Sequence, residues 1–532
     1  MVTNDMPREK PPNYLEIHAS NHPDKPAVVG PDRMLTYGQL KKRARALAKS
    51  LYEMGVRPGD QVALMTYNDP VHTEVSAALS YLEVGLVMVG FRMKPREIEH
   101  IVNDSDSRVL IFMHEFADRI LPFRKHYPKI LADGFISFGE KKADGASDYG
   151  FLFDNVPDVD LDAIPPAAEP GSSMIYTSGT TGRPKGAARK TDFVSKPGVL
   201  DYIFTAISTL GMNADEVHLV CCPIYHSAPT LFNTISFLLG GTTVMQPRFD
   251  AVGFLELVDR YGVTSTHLVP TMVRRLLDVP ESITRRLDLS SLRTVICGAA
   301  PLFPEYKLSF LDRYGDCLFE YYGSTESGMN TLITPSEMRK RPSSVGRAFA
   351  NNDLIILDDT GKEMPDGARG VLYMYNEAMM DGYYKNVEAT DQTRHGKHIT
   401  VGDVAVRDSS GYYYIVDRVK DMIIRGGVNI YPAEVEEVLA SMPGIADTAV
   451  VGMQDYDFGE AVAAFIVFED EASLSKEDIT AYCSHHMENH KIPAAIIPIR
   501  EIPRTPTGKI LKRNLREMLQ NGLDPANQAN IT

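Results

Sequence analysis

Tryptophan is absent from the 532 residues and cysteine is scarce, with five at positions 221, 222, 297, 317 and 483. None of the five stands in a paired C-x-x-C spacing, which argues against a disulfide framework and against structural zinc. No apolar run approaches the roughly 18 residues that a membrane span needs, and the N-terminal MVTNDMPREKPP has no apolar signal core. The expectation is a soluble protein of the reducing cytoplasm with no integral membrane span. Basic charge is also in deficit, 55 Lys and Arg against 70 Asp and Glu, for a net of −15. A protein living on nonspecific phosphate contacts would show the reverse, so no nucleic-acid partner is expected. A small polyanion is still allowed, because screening limits surface charge to roughly 8 Å and a few local groups can hold it.

What remains is ordinary globular usage, 44% hydrophobic and 23% charged, which excludes a disordered, collagen-like or coiled-coil chain. At roughly 100–200 residues per domain the length calls for several domains. The segment LTYGQLKKRARALAKSLYEMG opens on a capping-box pair, Thr36 and Gln39, carries apolar Leu40, Ala44, Leu47 and Leu51, and stops at Gly55. That is an amphipathic helix. A strand-like QVALMTY follows, and the same order recurs in REIEHIVNDSDSRVLIF and FLELVDRYGVTSTHLVP. Such alternation predicts α/β architecture, with parallel sheets covered by helices. The proline-rich stretch 157–173 reads as a connector to a strand at Ser173–Tyr176. A second boundary falls at 417–421, where strand-like GYYYIVD gives way to the charged RVKD. The expected domains are 1–419 and 420–532, the second with a helix at PAEVEEVLASM, strands at TAVVGM and AAFIVF, and a basic terminal helix.

The strongest chemical signal is MIYTSGTTGRPKG at 174–186, an apolar strand running into glycines, hydroxyls and a lysine. Glycines let backbone N–H groups wrap an oxyanion, hydroxyls donate further bonds, and lysine adds a point charge. It is not a Walker A loop, since the lysine follows proline and precedes glycine. YTSGTTGRPKG resembles the phosphate loop of the acyl-adenylate-forming superfamily, which includes acyl- and aryl-CoA synthetases, peptide-synthetase adenylation domains and luciferases. The resemblance extends from about residue 14 to 517. It implies a large N-terminal region of αβαβα subdomains with a small β-barrel, followed by a small mobile α+β domain.

The resemblance also implies roles. Thr177, Ser178, Gly179, Thr180, Thr181, Gly182 and Lys185 would hold the phosphates of ATP. In EYYGSTES (320–327), Tyr321 or Tyr322 would lie against adenine beside Gly323. Thr325 would contact the α-phosphate and Glu326 would hold Mg2+, a hard ion suited to carboxylate plus phosphate. CGAAP, with Gly298, Ala299, Ala300 and Pro301, would wall adenine from the acyl group. Asp403 in VGDV would take the ribose hydroxyls, although Val401 replaces a common threonine and the frequent upstream tryptophan is missing. Arg418 would contact ribose or phosphate, Lys420 would be the hinge, and Gly426 and Gly427 would line the path of coenzyme A. Lys509 in PRTPTGKILKR (503–513) would bridge the carboxylate and the α-phosphate.

CPIYHSAPTLFNTISFLLGG (222–241) stands where relatives line the acyl pocket. Amino-acid-activating relatives place an aspartate there for the α-ammonium group. Here His226 follows Tyr225, and a neutral imidazole offers no such ion pair, so His226 is assigned as a gate between acyl pocket and CoA path. Val269, Thr271 and Met329 are further wall candidates, and small residues at 298, 299 and 323 leave room for more than acetate. The implied activity is an AMP-forming ligase joining a hydrophobic carboxylic acid to CoA, with a second copy of the chain left open as a partner. The competing readings are transfer to a carrier protein, luciferase-like oxidation and a noncatalytic nucleotide-binding relative. A CoA-dependent thioester assay and acid-dependent pyrophosphate release separate them.

Overall fold

Thr36 begins the helix Tyr37–Glu53 as expected: its hydroxyl accepts from the Gln39 N–H at 3.3 Å while the Gln39 side chain accepts from the Thr36 N–H at 3.0 Å. Leu40, Ala44, Leu47 and Leu51 are all fully buried, so the sequence period maps onto the core face. The computed structural model describes residues 13–520 apart from 155, 170, 178–183, 191–196, 427, 470–473 and 506–507. Among the described residues the strands form three sheets.

The first sheet is parallel through Gly85–Met88, Gln61–Met65, Val109–Met113 and Phe135–Phe138. At its other side it continues through Ser172–Thr177 into the antiparallel Lys185–Lys190 and Gly382–Tyr383. The connector 157–173 is less free than its composition predicts. Leu161 and Ile164 are buried in the core beneath the helix Tyr37–Glu53, and the strand it feeds starts at Ser172.

The second sheet carries the parallel strands Val217–Val220, Ser265–Leu268, Thr294–Cys297 and Leu318–Ser324. Their carboxyl ends deliver Cys222–His226, Val269, Gly298–Pro301 and Gly323–Glu326 to one edge, the place where open α/β sheets bind ligands. Beyond Leu318–Ser324 the pairing turns antiparallel through Gly328–Ile333, Gly346–Ala348, Tyr412–Arg418 and Asp403–Arg407. This antiparallel part holds the position expected of the small barrel, and its described ladders form an open path.

Tyr412–Arg418 is the last strand of that sheet in sequence. A turn at Val419–Asp421 follows, and the third sheet starts at Ile423–Arg425. The third sheet pairs Ile445–Asp455 with Gly459–Phe468, with the helices Pro432–Ala440 and Lys476–His486 on one face and Lys512–Gln520 on the other. Its core is separate, built on Ile423, Val435, Leu439, Val462 and Ile479. Arg369 pairs with Glu434 at 2.7 Å, and Arg274 donates to the Ala446 carbonyl at 2.9 Å across the junction.

Candidate active site

Two carboxylates are fixed on one side of the site by long-range hydroxyl contacts. Glu326 Oε1 accepts from Thr177 at 3.2 Å and from the Tyr383 hydroxyl at 3.0 Å. Asp403 accepts from the Tyr322 hydroxyl at 2.6 Å through one oxygen and from Arg418 Nε at 2.7 Å through the other. Each carboxylate oxygen keeps lone pairs for a further donor or a cation. Burial, reinforced by the charge on Asp403, pushes the Tyr322 hydroxyl far above its ordinary pKa, so it remains a donor. The side-chain partners of Glu326 are thus the hydroxyls of Thr177 and Tyr383, and Thr325, next to it in sequence, has its hydroxyl 3.1 Å from that of Ser227. No group of three or more His, Cys, Asp or Glu residues suited to a metal gathers among the described residues. That donor set fits magnesium, which takes hard oxygen ligands and binds through one carboxylate plus substrate phosphates.

Beside these carboxylates opens a cavity of about 840 Å³. One wall is the face of the first sheet that shows Ile175, Ala187 and Arg189, and another is the helix Ser227–Leu238. Val269, Ala299, Gly323 and Met329 line it as expected, whereas Gly298, Ala300, Pro301 and Thr271 do not. Gly298 stands behind the wall: a Cβ there would fall 2.4 Å from the Tyr321 ring. Ala299 next to it is held in the left-handed region at φ 73°, a strained conformation for a residue with a side chain. Gly298→Ala is therefore expected to push Tyr321 toward the cavity, costing about 1–3 kcal/mol from overpacking. Thermal unfolding should show the loss, and kcat/KM should fall more for bulky acids than for acetate. Wild-type melting with unchanged acid preference would remove Gly298 from this role.

His226 precedes the first turn of the helix Ser227–Leu238 and lines the cavity, and its Nε2 is buried with no partner among the described residues. Burial, with Lys509 and Arg92 nearby, pushes its pKa down to about 3, so the imidazole is neutral at physiological pH. Lys509 faces the same cavity, together with Arg504, Thr505 and Leu511. The residue is exposed, yet the protein mass around its ammonium and the Arg418 charge lower its pKa, while Asp403 and Glu326 oppose the shift. Described residues on either side of it are tied down. Arg504 makes a two-pronged contact with Asp447 at 2.8 and 3.0 Å and donates to the Gly508 carbonyl at 2.8 Å. Gly508 has φ +79° and lies against Thr271 of the large domain.

The expected site residues thus split along strand alternation. Tyr321 and Tyr322 are neighbours on Leu318–Ser324 and face opposite sides. Tyr322 meets Asp403, whereas Tyr321 sits in the cavity wall against His267 and Gly298. Lys185 places its ammonium 5.3 Å from the Tyr383 ring centre, and Lys420 lies in the turn Val419–Asp421. Gly426 sits at the tip of the hairpin Ile423–Arg425 and Val428–Ile430, at φ +57°. Ser178, Gly179, Thr180, Thr181, Gly182 and Gly427 lie outside the described residues. Three contributors escaped the sequence reading: Tyr383 on Glu326, His267 beside Tyr321, and Arg189. The Arg189 guanidinium donates to the carbonyls of Thr325 at 2.6 Å and Ala378 at 3.1 Å. Arg189 had a usable signal, since period-2 alternation from Lys185 through Ala187 puts it on the cavity face.

The comparisons with known proteins agree with this geometry. The family model of AMP-binding enzymes matches residues 15–384, and that of the AMP-binding enzyme C-terminal domain matches 434–509. A feruloyl-CoA synthase of Amycolatopsis sp is 32% identical over 484 residues, which cover 91% of this chain and 93% of that protein. The long-chain-fatty-acid–CoA ligase FadD13 of Mycobacterium tuberculosis is 31% identical over 514 residues, covering 94% and 97%. Among solved structures, the anthranilate CoA ligase AuaEII in complex with anthranoyl-AMP superposes with a TM-score of 0.85 at 27% identity, over 98% of this chain and 99% of that one. With both halves of the family matched and the relatives aligned nearly end to end, the chain belongs to the AMP-binding enzymes, the adenylate-forming family of the AMP-forming acid–CoA ligases.

Proposed function

We propose that this enzyme activates a hydrophobic carboxylic acid with ATP and then joins it to CoA, using one site in two arrangements. In the first step a carboxylate oxygen attacks the α-phosphorus, pyrophosphate leaves, and an acyl-adenylate remains. In the second, the CoA sulfur attacks the acyl carbon and AMP leaves. The observation that carries the reading is that Lys509, from the small domain, lines the same mostly apolar cavity as Thr325, within electrostatic reach of Asp403 and Glu326. A carboxylate entering from the cavity would meet this cation where the two anions have to approach. Preorganised charge aimed at the equatorial oxygens is the main lever for such transfer. Magnesium, when bound through Glu326, would neutralise phosphate charge. Asp403 would take the ribose hydroxyls, Tyr322 would face the nucleotide and Tyr321 the acyl group, while Thr325 and the 177–185 segment would hold phosphate.

For the second step, the proposed hinge is the turn Val419–Asp421 with Lys420, the short connection between the two sheets. The hairpin with Gly426 carries exposed Ile424 and Val428, and exposed Phe458 stands beside it from the turn before Gly459–Phe468, a face suited to docking after rotation, with His226 as the gate to the CoA path. The cysteines are all free and buried, which supports the cytoplasm as the compartment. The test is AMP and pyrophosphate formation from ATP, magnesium and a panel of acids, followed by CoA-dependent thioester formation. AMP formation with no thioester would point to another acceptor, and no AMP with any acid would defeat the proposal.

A pH prediction follows from Lys509. The working form is the ammonium, present below its pKa and lost as pH rises through it. With that pKa lowered, kcat/KM for ATP should fall on the alkaline side below the ordinary lysine value of about 10.4. In Lys509→Arg the limb should move beyond the accessible range. A limb at the same pH in that variant would assign it to another group.

A further inference from the structure

The acyl cavity contains polar groups that neither half-reaction uses. His267, on the strand Ser265–Leu268, stands beside Tyr321 with its Nε2 3.2 Å from the phenolic oxygen. Both residues line the cavity, at 2% and 8% exposure. Phe232, from the helix Ser227–Leu238, stacks on the imidazole at 5.6 Å and 17° and meets Tyr321 edge-on at 6.1 Å. Three rings therefore wall the same cavity that Lys509 and Thr325 line.

The hydrogen-bonding capacity of this wall is not used up. A neutral imidazole has one donor and one acceptor, and a phenol has one donor and acceptor lone pairs. Burial holds both groups neutral, pushing His267 down to about 3 and Tyr321 far up. Their mutual bond consumes one donor and one acceptor, so one proton and two lone pairs remain. His267 Nδ1 has no hydrogen-bond partner among the described residues. With the imidazole proton on Nδ1, Tyr321 donates to Nε2 and its oxygen is free to accept. With the proton on Nε2, the imidazole donates to Tyr321 and the phenolic proton is free to be given. A tautomer switch thus lets Tyr321 serve either a donor or an acceptor on a ligand. An unmet buried polar group costs roughly 1–3 kcal/mol, and a ligand that brings the partner recovers it.

We propose that His267 and Tyr321, backed by Phe232, read a hydrogen-bonding substituent, such as a hydroxyl or amino group, on the ring of an aromatic acid in the cavity. The inference rests on the acid-activating function proposed above. Sites that hydrogen-bond a substrate group discriminate against the analogue lacking it, because their own polar groups are then left unpaired.

The test uses pairs of acids that differ by one ring hydroxyl, on benzoate, phenylacetate and cinnamate scaffolds, with decanoate as an aliphatic reference. AMP formation gives kcat/KM for each. In the wild type the hydroxylated member of at least one pair should lead by about 10–100-fold. That ratio should fall to near one in Tyr321→Phe and in His267→Phe, and recover in part in His267→Gln, which restores a donor and an acceptor. Because the ratio is taken within each variant, general damage to folding or turnover cancels. The proposal is overturned if the wild-type members of every pair differ by less than threefold, if decanoate outpaces every aryl acid without any hydroxyl preference, or if the ratio survives both phenylalanine variants. If no acid of any kind yields AMP, the acid-activating function fails and takes this inference with it.

Discussion

Lys509→Ala is expected to cut acid-dependent AMP formation by about 10²–10³-fold or more, the cost of losing one preorganised charge at a transferring group. The same variant should largely retain CoA thioester formation from supplied acyl-AMP. The prediction is sharp because the loop is anchored without the lysine side chain. Arg504 holds Asp447 and the Gly508 carbonyl, and the backbone of Thr505 and Lys509 closes a turn, with Thr505 N–H donating to the Lys509 carbonyl at 2.7 Å. Truncation therefore removes an ammonium and leaves its platform in place. The chemistry then divides the two steps. Adenylation brings a carboxylate against a phosphate, and a cation between them offsets the repulsion. Thioester formation brings no carboxylate against a phosphate: the acyl–oxygen bond breaks, its electron pair leaves with AMP, and the step needs a path for sulfur. Separate assays of the half-reactions read the difference, and equal losses in both would refute a role confined to adenylation.

The parts of the fold that sequence revealed are those governed by local spacing. The capping box at Thr36 and the apolar period behind it specify the helix Tyr37–Glu53, since both are satisfied within a few residues. The carboxylates Glu326 and Asp403 were legible from short motifs, but the hydroxyls that aim them were split. Thr177 lies in a motif, whereas Tyr383 reaches Glu326 across 57 positions with no local pattern to mark it. Arg189 reaches Thr325 across 136 positions, and His267 reaches Tyr321 across 54. Such contacts exist only once the sheets have assembled. Tyr321 and Tyr322 mark the limit of motif reading. Either ring could have faced a nucleotide until the strand fixed one toward Asp403 and the other toward the cavity.

Asp403 should give the second large effect, this time on nucleotide affinity. Asn keeps one acceptor oxygen, so Asp403→Asn loses one hydrogen bond to a charged acceptor, at about 1.5–3 kcal/mol, and should raise KM for ATP by about 10–100-fold, with a smaller change in kcat. The carboxylate also neutralises Arg418 at the end of the last strand before the turn Val419–Asp421, so Asp403→Ala should lower thermal stability as well. Removing one partner of a fully buried ion pair costs about 3–5 kcal/mol. The loss here should fall below that range, because Arg418 keeps 33% of its side-chain surface exposed. Tyr322→Phe separates the two effects: it removes the 2.6 Å bond to Asp403 and leaves the carboxylate on Arg418, so stability should change little and KM for ATP by less than in Asp403→Asn. The ribose role is excluded if Asp403→Asn keeps KM for ATP within threefold of the wild type while melting earlier, since the carboxylate would then serve only to pair with Arg418.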